Sequence, residues 1–278
     1  MKPCHPITLE KQGGFTLIEL SIVLVIIGLI VGGVLVGQDL IKAAEIRATV
    51  GQVEKYNSAV NTFRTKYNAI PGDITSANAI SFGLFADTTG GQGHGDGNGL
   101  IEGGNTAPYT AGIGETLAFW RHLTDANLVD GSFGSTGNSL IVATSGAVTG
   151  TVNTISQSLP PGKVGRANSF VTYSSGGLNF YQILPVASIP TSGAYTFNSA
   201  GSTPMEAYNM DVKLDDGAPN TGIVVARGIT DVNIAPTSNP VATGNTCTVG
   251  SGIASDTYNR NAGTGGTDPS CSLRFRFN

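Results

Sequence analysis

Gly13-Gly14-Phe15-Thr16-Leu17-Ile18-Glu19-Leu20 opens the stretch that decides the fold, and the 18 residues from Leu20 to Gly37 carry no charge. Nearly all of them are Ile, Val, Leu or Gly. A helix of about 20 apolar residues crosses a bilayer, whereas the apolar core of a secretory signal peptide runs to only about 7–15. The run therefore predicts a membrane-spanning helix, although Ala43-Ala44 has the small side chains of a weak signal-peptidase site. Lys2 and Lys11 precede it, which predicts a cytoplasmic N-terminus and a chain beyond Asp39 that lies across the membrane. Glu19 breaks the pattern. An unpaired carboxylate at hydrocarbon depth costs a few kcal/mol, so Glu19 is either a headgroup-level charge or one that waits for a cation from another chain.

Beyond the run, Ile46, Val50, Val53, Tyr56, Val60, Phe63 and Tyr67 recur at steps of three and four, with Arg47, Glu54, Lys55, Asn61 and Arg64 off the stripe. That is one face of an amphipathic helix. Phe15 to Tyr67 reads as a single helix, on the order of 80 Å long at 1.5 Å per residue. Its first half is apolar all round and its second half on one side, so it needs two environments: a membrane or fibre core, then a globular head. Ile70-Pro71-Gly72-Asp73 supplies the stop, because Pro disfavours helix at the residue before it and Gly permits a turn. Gly28-xxx-Gly32 and Gly33-xxx-Gly37 would let helix backbones approach closely. They are also what a glycine-tolerant membrane helix shows, or a place to unwind, since each glycine costs about 1 kcal/mol against alanine.

The rest of the 278 residues is of another kind. Charged residues are 12% of the chain, about half the usual share, and 39 glycines sit largely among Ser, Thr and Asn. This composition suits short strands and long turns. A net charge of -4 gives no electrostatic footprint for nucleic acid. No His-Glu-x-x-His, Cys-x-x-Cys, Gly-x-Ser-x-Gly or phosphate-loop motif is present, so nothing argues for an enzyme. Residues 72–137 read as a Gly-rich loop region holding a short helix, Glu115–Leu128, in which Trp120 and His122 are packing residues. Residues 138–278 read as a β-rich head, with strands at Leu140–Thr144, Ser169–Tyr173, Leu178–Leu184, Gly222–Arg227, Thr246–Val249 and Ser272–Phe277, and a helix from Pro204 to Leu214. A long N-terminal helix packed on a mainly antiparallel sheet is an α+β fold.

Gly-Phe-Thr-Leu-Ile-Glu-Leu behind a short basic leader closely resembles the N-terminus of type IV prepilins and type II secretion pseudopilins, over about the first 60 residues. The resemblance implies a pilin-like head and a leader of residues 1–14 ahead of a long helix over residues 15–71. It implies that a prepilin peptidase cuts between Gly14 and Phe15 and that Phe15 is N-methylated. Glu19 takes the place of the family's assembly glutamate. Loss of Lys2, Lys11 and Glu10 would carry the net charge from -4 to -5. Cys4 would leave with the leader, so Cys247 and Cys271 remain as an even pair in an oxidising compartment, and a disulfide is expected between them.

Two acidic groups raise the possibility of calcium, the sole cofactor the sequence suggests. Asp96, Asn98 and Glu102, in His94-Gly-Asp-Gly-Asn-Gly-Leu-Ile-Glu, have features of an EF-hand loop, with His94 at the first position and Asn105 at the last. The other reading is a solvated glycine loop. Asp211, Asp215 and Asp216 are the densest acidic cluster; the family's major pseudopilins bind calcium in their C-terminal heads, while the plain reading is a helix end with a turn. The functional expectation is a structural subunit of a type IV pilus-like extracellular filament, a homopolymer assembled through the apolar helix by an inner-membrane platform. The precursor sits in the bacterial inner membrane. A periplasmic pseudopilin, or a membrane-anchored adhesion module that never polymerises, are the alternatives.

Overall fold

The computed structural model describes residues 14–86, 95–102, 114–133, 135–136, 139–140, 148–149, 152–165, 168–189, 196–197, 201–228, 247–250, 256–260 and 269–277. Residues 1–13 of the leader, His94 and Asn105 lie outside them, as does most of the expected strand Leu140–Thr144. The chain divides into two compact units, one ending at Ala44 and one beginning at Glu45.

Helix α1 runs from Leu17 to Tyr67, 51 residues without a break, so the four glycines between Gly28 and Gly37 are helical. It starts two residues after Phe15 because Thr16 caps it, and it ends at Tyr67 because Asn68 takes a left-handed conformation (φ 51°). The stop thus falls ahead of Pro71. In the first unit the apolar residues from Phe15 to Ile41 are all exposed, at 50% or more for each large side chain. In the second, the stripe disappears from solvent: Ile46, Val53, Tyr56, Val60, Phe63 and Tyr67 are buried, joined by Thr49 and Ala59.

The second unit is built on a four-stranded antiparallel sheet in the order β4-β5-β11-β8. Its strands are β4 (Ser169–Ser175), β5 (Leu178–Leu184), β8 (Val224–Gly228) and β11 (Cys271–Phe277). Gly176 and Gly177, both at positive φ, make the two-residue hairpin turn between β4 and β5, a conformation that side chains resist. Phe170 pairs with Ile183, Tyr181 with Phe275 and Leu273 with Ala226. Tyr56 of α1 meets Trp120 of α3 (Glu115–Asp125) at 4.9 Å and Phe170 at 5.1 Å, both edge-on, and Tyr181 stacks on Phe277 at 4.2 Å. Helix stripe, short helix and sheet therefore share one aromatic core.

Seven elements lie outside the sequence reading: α2 (Ser76–Ser81), β1 (Ser135–Thr136), β3 (Val148–Thr149), α4 (Val152–Ser158), β6 (Val186–Ile189), β7 (Thr196–Phe197) and β10 (Thr257–Tyr258). β6 pairs with β7 and with β3 (Val148–Thr149), and β10 with β9 (Thr248–Val249). A further hairpin joins β1 (Ser135–Thr136) to β2 (Ser139–Leu140). Helix α5 spans Pro204–Leu214 as its proline and its Asp-Asp-Gly end predict.

Candidate functional site

Three groups of sequence-predicted residues can be placed. Gly14, Phe15 and Thr16 lie ahead of the helix, and Phe15 is 88% exposed. Thr16 and Glu19 form a reciprocal cap. The Thr16 N–H and hydroxyl donate to Glu19 Oε2 at 2.9 and 2.8 Å, and the Glu19 N–H donates to Thr16 Oγ1 at 3.3 Å. The Thr-x-x-Glu spacing that makes such a box is legible in the sequence, where the apolar run and the charge of Glu19 overshadow it. The bond between Gly14 and Phe15 therefore lies outside the helix. A cut there would put a new amine one residue ahead of the cap and near the Glu19 carboxylate.

The second group is larger than the sequence indicated. Asp96, Asn98 and Glu102 are joined by hydrogen bonds from Asn98 Nδ2 to Asp96 Oδ2 (3.0 Å) and Glu102 Oε2 (3.2 Å). Two carboxylates from elsewhere close on them. Asp73, just past the end of α1, accepts the N–H groups of Gly97 and Gly99 at 2.8 Å each. Glu115, at the start of α3, accepts those of Asp96 (3.3 Å) and Glu102 (2.8 Å). Oxygens of Asp73, Asp96 and Glu115 lie within 4.8 Å of one another. Gly95 is required there, since a Cβ would sit 2.2 Å from the Asp73 carbonyl carbon.

Asp73 and Glu115 are almost fully buried, and burial pushes their pKa values up to about 6 and about 8. Three converging carboxylates, with no cationic side chain bonded to them among the described residues, have the donor chemistry for a hard divalent cation. The backbone N–H bonds give Asp73 and Glu115 a loop-holding role as well. No spacing in the sequence relates residue 73 or 115 to a loop at 96–102, so this half of the group was illegible. Beside it, His122 is buried: its Nδ1 accepts the Gly72 N–H at 2.9 Å and its Nε2 faces the Phe85 carbonyl at 2.8 Å. It packs between the rings of Phe63 and Phe85, and burial drives its pKa down to about 4.

The third group lies at the end of α5. Asp211 is fully buried, accepts the Tyr258 hydroxyl at 2.7 Å and the Gly217 N–H at 3.2 Å, and is pushed up to about 6 by that burial. Asp215 accepts the N–H groups of Ile223 and Val224, and Asp216 those of Ala218 and the Thr221 hydroxyl. Oxygens of the three aspartates again lie within 4.8 Å of one another. The turn accounts for most of their bonds, with Asp211 and Tyr258 tying α5 to β10. Cys247 and Cys271 are joined in a disulfide, Cα atoms 4.9 Å apart, which fastens β11 to the segment before β9.

Comparison with known proteins gives one result. Residues 10–35 match a family model for the prokaryotic N-terminal methylation motif, which covers the Gly14-Phe15 junction, the Thr16–Glu19 cap and most of the apolar run. No curated protein and no solved structure matches the chain. α1 is long and apolar enough to cross a membrane, and with the motif at its start it marks a membrane-anchored precursor. Motif, long N-terminal helix and antiparallel sheet together support the resemblance of this chain to type IV pilins and pseudopilins.

Proposed function

We propose that the protein is the structural subunit of a type IV pilus-like extracellular filament, assembled from the inner membrane through the apolar part of α1. The observation that carries the reading is the uncovered surface of that helix: none of its apolar side chains from Phe15 to Ile41 is buried by the chain itself. Lipid covers such a surface in a precursor, and the same helices from neighbouring copies cover it in a fibre. Peptidase cleavage after Gly14 frees the Phe15 amine, which stays protonated when methylated. Glu19 of an adjacent copy is the carboxylate able to neutralise it in the same apolar layer. Two opposite charges in a low-dielectric setting attract strongly, whereas each alone is costly. Their pairing would fix the axial step between copies while the apolar faces supply adhesion.

Electron microscopy of material sheared from cells, with mass spectrometry of the filaments, tests this reading. Filaments composed of this chain, starting at methylated Phe15, are the expected result; a chain starting at residue 1 or 45 overturns it. The pseudopilin reading has one observation in its favour, the Asp211, Asp215 and Asp216 cluster, because major pseudopilins hold calcium in their C-terminal heads. A rise in melting temperature with calcium that disappears in D211N, D215N or D216N would move the reading toward a periplasmic pseudopilus.

A further inference from the structure

We propose that Asn98-Gly99 is a self-modifying site, at which the folded loop drives deamidation of Asn98. It is the only Asn-Gly pair in the 278 residues, and the inference does not depend on the filament reading. A glycine N–H has no neighbouring Cβ to screen it from the preceding side chain. Here Gly99 has φ 89°, with open space where a side chain would be.

The reacting groups are each already held. The Gly99 N–H, the nucleophile, donates to Asp73 Oδ2 at 2.8 Å. The Asn98 Oδ1, on the carbon to be attacked, accepts the Leu100 N–H at 2.7 Å. The leaving nitrogen, Asn98 Nδ2, donates to Asp96 Oδ2 and Glu102 Oε2. Asn98 is exposed, so water reaches it. This arrangement has the three parts of acyl-transfer catalysis: a base on the nucleophile, a donor where negative charge develops, and carboxyl groups at the leaving group.

In the step, Gly99 N bonds to Asn98 Cγ and its proton passes to Asp73. Charge gathers on Oδ1 against the Leu100 N–H. The Cγ–Nδ2 bond then breaks, and the nitrogen leaves as ammonia, carrying the proton with it. One water opens the resulting succinimide at either carbonyl, giving aspartate or isoaspartate. Water enters, ammonia leaves, and nothing is oxidised or reduced. The product exchanges the donor that links Asp96 to Glu102 for a carboxylate, which adds one negative charge beside Asp73, Asp96, Glu102 and Glu115.

The experiment compares the full chain in detergent with the same chain in urea, near neutral pH and physiological temperature, following the 95–102 peptide by mass spectrometry in heavy-oxygen water. Conversion of Asn98 with uptake of one heavy oxygen, at least about tenfold faster in the folded chain, is expected from a held base and oxyanion donor. D73N should slow the folded rate and leave the urea rate unchanged. A folded rate equal to or below the urea rate means that the same hydrogen bonds protect Asn98, and it overturns the proposal. So does an unchanged rate in folded D73N. Should D73N fail to fold by circular dichroism, the wild-type comparison decides alone.

Discussion

α1 and α5 begin alike and continue in opposite ways. Each opens with Thr-x-x-Glu: the Thr16 N–H meets Glu19 at 2.9 Å and is answered at 3.3 Å, and the Thr203 N–H meets Glu206 at 2.9 Å and is answered at 3.2 Å. Behind Thr203, Ala207, Met210 and Asp211 are buried within two turns. Behind Thr16, the first buried side chain of α1 is Ile46. The cap itself is therefore ordinary helix chemistry and does not mark Glu19 for assembly. What sets Glu19 apart is a helix surface that its own chain leaves uncovered.

The largest effect should come from separating cap from charge. Gln at the third helical position still completes a capping box, but it carries no charge. On the filament reading, Glu19→Ala and Glu19→Gln both give a chain that is cleaved after Gly14 and membrane-inserted, with filament yield down by an order of magnitude or more. Glu206→Ala should leave filament yield near wild type. Normal filaments from Glu19→Gln would reduce Glu19 to a cap and erase the contrast between the two helices.

Next in size is truncation along α1. Phe63 is fully buried against Tyr67 and His122, and Phe63→Ala should cost about 3–5 kcal/mol of head stability in a denaturant titration. Ile27 is half exposed and is not one of the buried core residues, so Ile27→Ala should leave the head's midpoint where it is. A shift for Ile27→Ala comparable with that for Phe63→Ala would mean that the apolar stretch is not the separate surface described above.

The same contrast decides what was legible in the sequence. α1 could be read because its pattern is its own: an unbroken apolar run needs no partner, and the Ile46–Tyr67 stripe announces that a core exists. β5 and α5 were legible for a similar reason, a run of β-favouring residues between Gly177 and Pro185 in one and Pro204 with Asp215-Asp216-Gly217 in the other. Partners were not legible. Nothing in the spacing places Asp73 and Glu115 around Asp96, because the chain brings them together through the end of α1 and the start of α3. Short elements such as β10 and α4 were missed because two residues of strand, or two turns of helix, carry too little local preference to stand out.

The acidic loop gives a pH test confined to the head. Glu115 is raised to about 8 from an unfolded value near 4.5, so the folded state binds the extra proton. The stability this contributes is complete below pH 4.5 and is lost as pH rises through 8. His122 works in the other direction: lowered to about 4 from 6.5, it contributes stability above 6.5 that is lost as pH falls through 4. Between pH 6.5 and 8.5 Glu115 dominates, and the head's melting temperature should fall as pH rises. Added calcium should flatten that slope if the loop takes a cation, since a bound cation favours the ionised carboxylate. An E115Q head that keeps the full slope would remove Glu115 as its source.

The smallest effect tests whether the two caps are equal. In the head, Thr203 contributes only its hydroxyl acceptor to the Glu206 N–H, at 3.2 Å, since its own N–H bond to Glu206 survives any non-proline substitution. Thr203→Ala should cost about 1 kcal/mol, and Thr203→Ser should restore it because serine keeps the oxygen. In a domain of this size that is a fall of about 2–4 °C in Tm. The corresponding Thr16→Ala change removes the same bond from a helix start that supports no core, so the head's Tm should not move at all. An equal drop for both would show that the beginning of α1 supports the head. A null result for Thr203→Ala, with α5 still helical by hydrogen exchange, would mean that Pro204 and the burial of Ala207 and Met210 hold α5 without its cap.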